Sequence, residues 1–311
     1  MIIVAGKGGV GKTAVTAALA GAASSVGLRT LIVEVEGKSG LAGMFGFDQL
    51  SYSELELVEP SGGTAAVIAR TITPDDALLD YLRDHGLQRI SNRLVSTGAL
   101  DVVSTAVPGI RDILVLGKIK QLERSGEWDL IIVDAPAAGH AISFLKSASG
   151  MNDAVKVGPI STQARDVLEL LNDVERCRVV LVTAPEETPV NELIETAYSL
   201  EDEVGVALGP VIVNGVFPEL AGLAVSPVEA AQAAGVQLLD GEAELLGQAA
   251  AFRTLRTDLQ LAQLARMAED LPLPQLLLPY LFVTYLGRDE LMTLADTVLE
   301  RVRELPEPVV T

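Results

Sequence analysis

The sequence predicts an α/β protein in which a mostly parallel β-sheet carries helices on both of its faces. The first observation is a set of near-continuous Val/Ile/Leu runs, which is typical of strands buried on both faces. These runs occupy residues 1–5, 30–36, 99–107, 129–136, 178–185 and 209–217. The second is that helix-like stretches lie between and after them, at 14–26, 74–94, 112–126, 226–270 and 287–305.

The chain has no internal repeat, linker or low-complexity tract over its 311 residues. A single large α/β domain can reach this length. We therefore predict one domain over 1–311, with helical insertions around 74–126 and 219–270.

Composition narrows the classes of protein that fit. The chain is 49% hydrophobic and 21% charged, which fits a compact soluble protein. Its net charge of −19 repels phosphate backbones and anionic lipid, so we expect no nucleic-acid partner. The most apolar segment, 271–287, is too short and too interrupted by proline for stable membrane insertion. One cysteine, Cys177, and no basic leader indicate a cytoplasmic protein.

The first strand is followed by a phosphate-binding pattern. Gly6, Gly11, Lys12 and Thr13 match G-x-x-x-x-G-K-[ST], between a strand and an alanine-rich helix. Backbone N–H groups of such a loop surround phosphate oxygens, the lysine binds the β- and γ-phosphates, and the Thr hydroxyl ligates Mg²⁺. The predicted nucleotide-binding residues are Gly8, Gly9, Val10, Gly11, Lys12, Thr13 and Ala14.

A second lysine, Lys7, makes the loop more specific. K-G-G-V-G-K-T resembles the deviant Walker A loop of the dimeric ATPases that include ArsA, the tail-anchored-protein targeting ATPases, MinD and nitrogenase iron protein. The resemblance implies ATP and Mg²⁺ as cofactors, and a Lys7 that reaches across a dimer interface to the partner's nucleotide. A cation there would neutralise charge that develops during phosphoryl transfer.

Asp134 ends the apolar strand of DLIIVDAP, where a carboxylate can hold Mg²⁺. DAPAAGH (134–140) is similar to the DTAPTGH switch II of the ArsA and targeting ATPases. PGI (108–110) is similar to a further segment of that family. The predicted catalytic residues are thus Lys7, Lys12 and Asp134. His140 is either a switch or interface residue or a hydrogen-bonded loop residue.

Asn214 stands in PVIVNGVFP, which resembles the strand end where the family's asparagine contacts the purine. Its amide offers the donor and the acceptor that adenine requires. An asparagine that turns the chain after a strand is the alternative.

The chain departs from the family after its second strand. The family has D-P-A-H-S/N-L-S-D-A-F there, whereas residues 36–45 are EGKSGLAGMF. The first Asp aligns with Glu36, which we predict joins Thr13 and Asp134 around Mg²⁺. The second, which orients the attacking water, aligns with Gly43. Because a positioned base contributes roughly 10²- to 10⁴-fold, we expect MgATP binding with slow hydrolysis by the isolated chain.

The sequence therefore predicts an ArsA-like ATPase that forms a homodimer, or a heterodimer with a paralogue, and that drives a conformational switch. The alternative is a catalytically weak, nucleotide-locked scaffold or client-binding subunit paired with an active paralogue. A partitioning ATPase would need a basic DNA-binding surface, which the charge of −19 argues against. The client is unknown: one cysteine cannot cluster thiolates for arsenite, and there is neither a C-x-x-C pair for zinc nor a methionine-rich groove.

Overall fold

The computed structural model describes residues 1–35, 40–97 and 109–306, and these ranges contain one eight-stranded sheet. The strand order is β3-β4-β2-β5-β1-β6-β7-β8, and every neighbouring pair is parallel except β3 and β4. The strands are β1 (Ile2–Gly6), β2 (Thr30–Val35), β3 (Leu55–Val58), β4 (Val67–Ile72), β5 (Leu130–Asp134), β6 (Arg178–Thr183), β7 (Val211–Val216) and β8 (Gln275–Pro279).

Helices cover the sheet in the same described ranges, and a π-helical turn follows α8 at Leu200–Val204. They are α1 (Lys12–Ser25), α2 (Gly40–Met44), α3 (Pro74–Asp84), α4 (Gln88–Thr97), α5 (Ile110–Arg124), α6 (Ala138–Ala154), α7 (Pro159–Leu171), α8 (Glu187–Ser199), α9 (Pro227–Ala234), α10 (Glu242–Asp270) and α11 (Arg288–Arg303). None of those helices is long and apolar enough to cross a bilayer.

Two hydrophobic cores lie on opposite faces of the sheet because successive strand residues point to opposite sides. Ile3 of β1 belongs to the core under α3, α5, α6, α7 and α8. Its neighbour Val4 belongs to the core under α1 and α11. The predicted mostly parallel α/β fold with helices on both faces is confirmed.

Three strands were not anticipated. β3 is a short antiparallel edge strand, β4 contains the polar residues Arg70 and Thr71, and β8 follows Pro274 and ends at Pro279. The predicted strand at 99–107 lies outside the described residues. The sheet still places the ends of β1, β2, β5, β6 and β7 along one edge, which is where ligands bind in such folds.

Two predicted helices are each divided in the structure. The stretch 74–94 forms α3 and α4, with a turn between them. The stretch 226–270 forms α9 and α10, because Gly235 adopts a left-handed φ of +66° that ends α9. The domain boundaries and the two helical insertions remain predictions.

Candidate nucleotide site

The phosphate-binding loop connects β1 directly to α1, which begins at Lys12. Gly6 runs so close to β6 that an added Cβ would lie 2.2 Å from the Val182 carbonyl oxygen. Gly11 has a left-handed φ of +89°, and an added Cβ would lie 2.3 Å from Nδ2 of Asn214. Both glycines of the pattern are therefore required by close contacts of the loop with other strands.

Lys12 folds back over this loop. Its side chain is buried, and Nζ donates a hydrogen bond to the Lys7 carbonyl at 3.0 Å. Gly8 and Gly9 are exposed, whereas Val10 is buried beneath the loop. The first N–H groups of α1 have no partner within the helix, so the loop and the helix start favour an anion here.

Thr13 and Asp134 meet at the start of α1. The Thr13 hydroxyl donates to Oδ2 of Asp134 at 2.8 Å, and Asp134 is fully buried at the end of β5. The loop and the end of β5 therefore converge at one edge of the sheet, and the roles of Thr13 and Asp134 around Mg²⁺ stay predictions.

Glu34 is an acidic residue that the sequence analysis missed. It is buried in β2 directly beside Asp134, its partner in the parallel register. The Thr71 hydroxyl donates to Oε2 of Glu34 at 2.7 Å. The available signal was an acidic residue inside the otherwise apolar run LIVEV, all of which is buried in β2.

The oxygen donors at this edge fit Mg²⁺, which is usually held by one or two carboxylates together with substrate phosphate. Thr13 supplies a hydroxyl, and Asp134 supplies a carboxylate with Glu34 beside it. Among the described residues, no group of three or more His, Cys, Asp or Glu side chains forms a metal site. Glu36, the third predicted metal ligand, lies outside the described residues.

Lys7 points away from its own loop. Its ammonium forms an ion pair with the carboxylate of Glu192 on α8, and the side chain remains one-third exposed. The structure thus leaves Lys12 with the loop and places Lys7 on a surface that another molecule can reach.

Asn214 lies near the end of β7, where Nδ2 donates to the Val10 carbonyl at 2.9 Å. It therefore fixes the loop and also lines a cavity of about 200 Å³ beside Ala14, Tyr280 and Leu286. Tyr280 could not be predicted from the sequence, because nothing in the local pattern links β8 to the loop.

Two further predicted positions, Gly43 and His140, lie in the helices that follow β2 and β5 in the chain. Gly43 belongs to α2, no atom lies within 4 Å of an added Cβ, and its carbonyl accepts a hydrogen bond from the Tyr285 hydroxyl. His140 is exposed in the first turn of α6. That exposure leaves both interpretations of His140 open.

Comparisons with known proteins identify one matching family and relatives that are named as ATPases. The family model described as "Anion-transporting ATPase" matches residues 1–160. ATPase BagA of Mycobacterium tuberculosis is 34% identical over 297 residues, covering 89% of this chain and 86% of that protein. The arsenical pump-driving ATPase of Escherichia coli is 27% identical, with coverage of 68% and 39%. ATPase GET3B of Arabidopsis thaliana is 25% identical, with coverage of 68% and 63%.

Proposed function

Because the chain belongs to the anion-transporting ATPase family and is an ATP hydrolase, we propose that it works as a Mg²⁺-dependent dimer in which Lys7 and Lys12 have different roles. The observation that carries this proposal is their separation. Lys12 hydrogen-bonds its own loop, whereas Lys7 pairs with Glu192 on the surface of α8.

In the proposed site, the backbone of residues 8–14 and the Lys12 ammonium bind the β- and γ-phosphates. Thr13 and Asp134 hold Mg²⁺, with Glu34 or Glu36 as a further carboxylate. Bound Mg²⁺ would neutralise the negative charge that develops on the phosphate oxygens. Asn214 and the cavity beside Tyr280 bind the adenine base of the nucleotide.

Lys7 acts on the second subunit in this proposal. Release from Glu192 lets its ammonium approach the partner's γ-phosphate, where it stabilises transition-state charge as an arginine finger does. Loss of the γ-phosphate then releases the two switch segments, the one that precedes Gly43 and the one that follows Asp134. We place this cycle in the cytoplasm, with a protein client of unknown identity.

The deciding experiment compares Lys7→Ala with Lys12→Ala. Lys7→Ala should lower ATP turnover at least about 10²-fold while nucleotide binding stays within about 3-fold of wild type. Lys12→Ala should weaken both, and chelation of Mg²⁺ should stop turnover. Equal loss of binding in both variants would refute the division of labour between the lysines.

The glycine at position 43 supports a second candidate function, in which the chain is a catalytically weak subunit. An Asp in its place has room, since no atom lies within 4 Å of the added Cβ. We expect Gly43→Asp to raise turnover of the isolated chain about 10-fold or more, with Gly43→Asn as the uncharged control. A wild-type turnover near 10 s⁻¹, an ordinary value for an enzyme, would exclude the weak-subunit hypothesis. Slow wild-type turnover that an added paralogue accelerates would support a heterodimer.

A further inference from the structure

The segment 280–287 joins β8 to α11 and is held at both of its ends. At its start, the Tyr280 N–H donates to the Val216 carbonyl of β7 at 2.8 Å. At its end, the Gly287 N–H donates to Oε2 of Glu290 in the first turn of α11 at 2.9 Å. The residues between these two hydrogen bonds belong to no helix or strand, so a ligand can move them without breaking the sheet.

One side of this segment lines the cavity of about 200 Å³ beside Asn214. Tyr280, Val283 and Leu286 all belong to the lining, together with Ala14 of α1. A base that fills the cavity would therefore contact the segment near its start, at its centre and near its end. Occupation of the cavity would fix the course of the segment.

The other side of the segment reaches α2 through Tyr285, which stands between Val283 and Leu286 in the chain. The Tyr285 hydroxyl donates a hydrogen bond to the Gly43 carbonyl. The same carbonyl accepts the Gly46 N–H at 3.1 Å, so Tyr285 binds the C-terminal end of α2, where helix carbonyls lack partners within the helix. One segment thus contacts both the cavity and α2.

Helix α2 lies against the start of α1. An added Cβ at Gly40, the first residue of α2, would lie 3.9 Å from Cγ2 of Thr13, which is an ordinary contact distance. Thr13 is a proposed ligand of Mg²⁺, and Gly43 occupies the position of the family's water-orienting acid. The position of α2 therefore bears on the place where the γ-phosphate is cleaved.

We infer that Tyr285 is a positioning residue that couples occupation of the base cavity to the position of α2. The inference rests on the proposed function, because it takes the cavity beside Asn214 as the site of the base. A bound base holds the segment 280–287, and the Tyr285 hydroxyl then holds the Gly43 carbonyl. Binding energy from the base, which does not react, is in this way used to orient the groups around the phosphates.

Tyr285→Phe removes the hydroxyl and retains the ring. The ring is 64% exposed, and its Cε1 would lie 3.6 Å from a Cβ added at Gly287, so the phenylalanine can occupy the same place without disturbing the core. Tyr198→Phe is the matched control. Tyr198 is 48% exposed, and its hydroxyl also donates to a carbonyl, that of Asp270 at 2.7 Å, where α8 meets the end of α10.

The first test compares cleavage of MgATP with cleavage of magnesium tripolyphosphate, which has three phosphates and no base. Single-turnover measurements at saturation make the comparison possible for a slow enzyme. Tyr285→Phe should lower the rate with ATP about 3- to 10-fold, the range expected for one lost hydrogen bond, with ATP affinity within about 2-fold of wild type. The rate with tripolyphosphate should stay within about 2-fold. Tyr198→Phe should change neither rate.

Hydrogen exchange of residues 40–47 provides a measurement that does not depend on turnover. The N–H groups of Phe45, Gly46 and Phe47 donate to carbonyls of α2, so their exchange reports on its order. Adenosine carries the base without phosphates and can reach α2 only through the segment 280–287. Saturating adenosine should slow this exchange about 3-fold or more in wild type and in Tyr198→Phe, and should leave it unchanged in Tyr285→Phe. Calorimetry verifies that each variant binds adenosine.

The outcomes separate this inference from the function that it extends. Equal loss of the ATP and tripolyphosphate rates in Tyr285→Phe, or no loss of either, would overturn the coupling and leave the ATPase intact. Adenosine that slows exchange equally in wild type and Tyr285→Phe would also overturn it. A chain that binds adenosine as tightly after Asn214→Ala as before would overturn the assigned base cavity, and this inference with it.

Discussion

The phosphate-binding edge of the sheet and the α9–α10 region differ in how closely they pack against the rest of the chain. At the sheet edge, strands approach so closely that Gly6 and Gly11 leave no room for a Cβ. In the other region, α9 buries no residue, and large apolar side chains of α10 are at least half exposed, among them those of Leu245, Phe252, Leu255 and Leu259. The first region is closely packed within the chain, whereas the second leaves large apolar side chains in contact with solvent.

The largest effect should come from adding a methyl group at the tight sheet edge. Gly6→Ala places a Cβ against the backbone of Val182, which cannot move without breaking the β1–β6 pairing. We expect a loss of at least about 3 kcal/mol in the free energy of unfolding, measured by denaturant titration. Gly8→Ala is the control, because nothing lies within 4 Å of its added Cβ. Equal free energies of unfolding for the two variants would show that β1 and β6 can separate at Gly6 without loss of stability.

Asn214→Ala tests whether the same edge recognises the base. Removing the amide frees the Val10 carbonyl and should weaken ATP binding about 10-fold. If Asn214 also contacts adenine, the preference for ATP over GTP should shrink as well, which competitive binding measures. If the binding of ATP and of GTP weakens equally, Asn214 only holds the loop in place and does not recognise the base. Asn172→Ala, at the end of α7, serves as the control.

Glu192→Gln examines the connection between the two regions. The ion pair with Lys7 is partly exposed, and such pairs contribute about 0–1 kcal/mol. Freeing Lys7 should therefore lower the protein concentration at half-maximal turnover by no more than about 5-fold. Glu195→Gln, on the exposed side of α8, should leave this concentration unchanged. A higher concentration for Glu192→Gln would mean that Glu192 assists the dimer instead of retaining Lys7.

The smallest effect should be that of the exposed apolar side chains of α10 on the stability of the single chain. Leu255→Ala should change the free energy of unfolding of the nucleotide-free protein by less than about 0.5 kcal/mol. Leu181→Ala, in the core at 1% exposure, should cost about 2–5 kcal/mol. A large loss at Leu255 would show that it packs within its own chain and would contradict the comparison between the regions.

The sequence by itself determined the loop, the strand that ends at Asp134 and the layered α/β fold. These depend on local rules: glycine spacing, buried apolar runs and helix-forming stretches. The convergence of Thr13 with Asp134 follows from them, because parallel strands end at one edge.

Only the tertiary structure decided which side chains from distant segments share that edge. It placed Glu34 beside Asp134, Asn214 on the Val10 carbonyl and Lys7 against Glu192. It also exposed one side of α10, which the periodicity of its sequence does not distinguish from a buried side. The physical reason is that pairing between strands and packing between helices set these contacts, and neither is encoded within a local window.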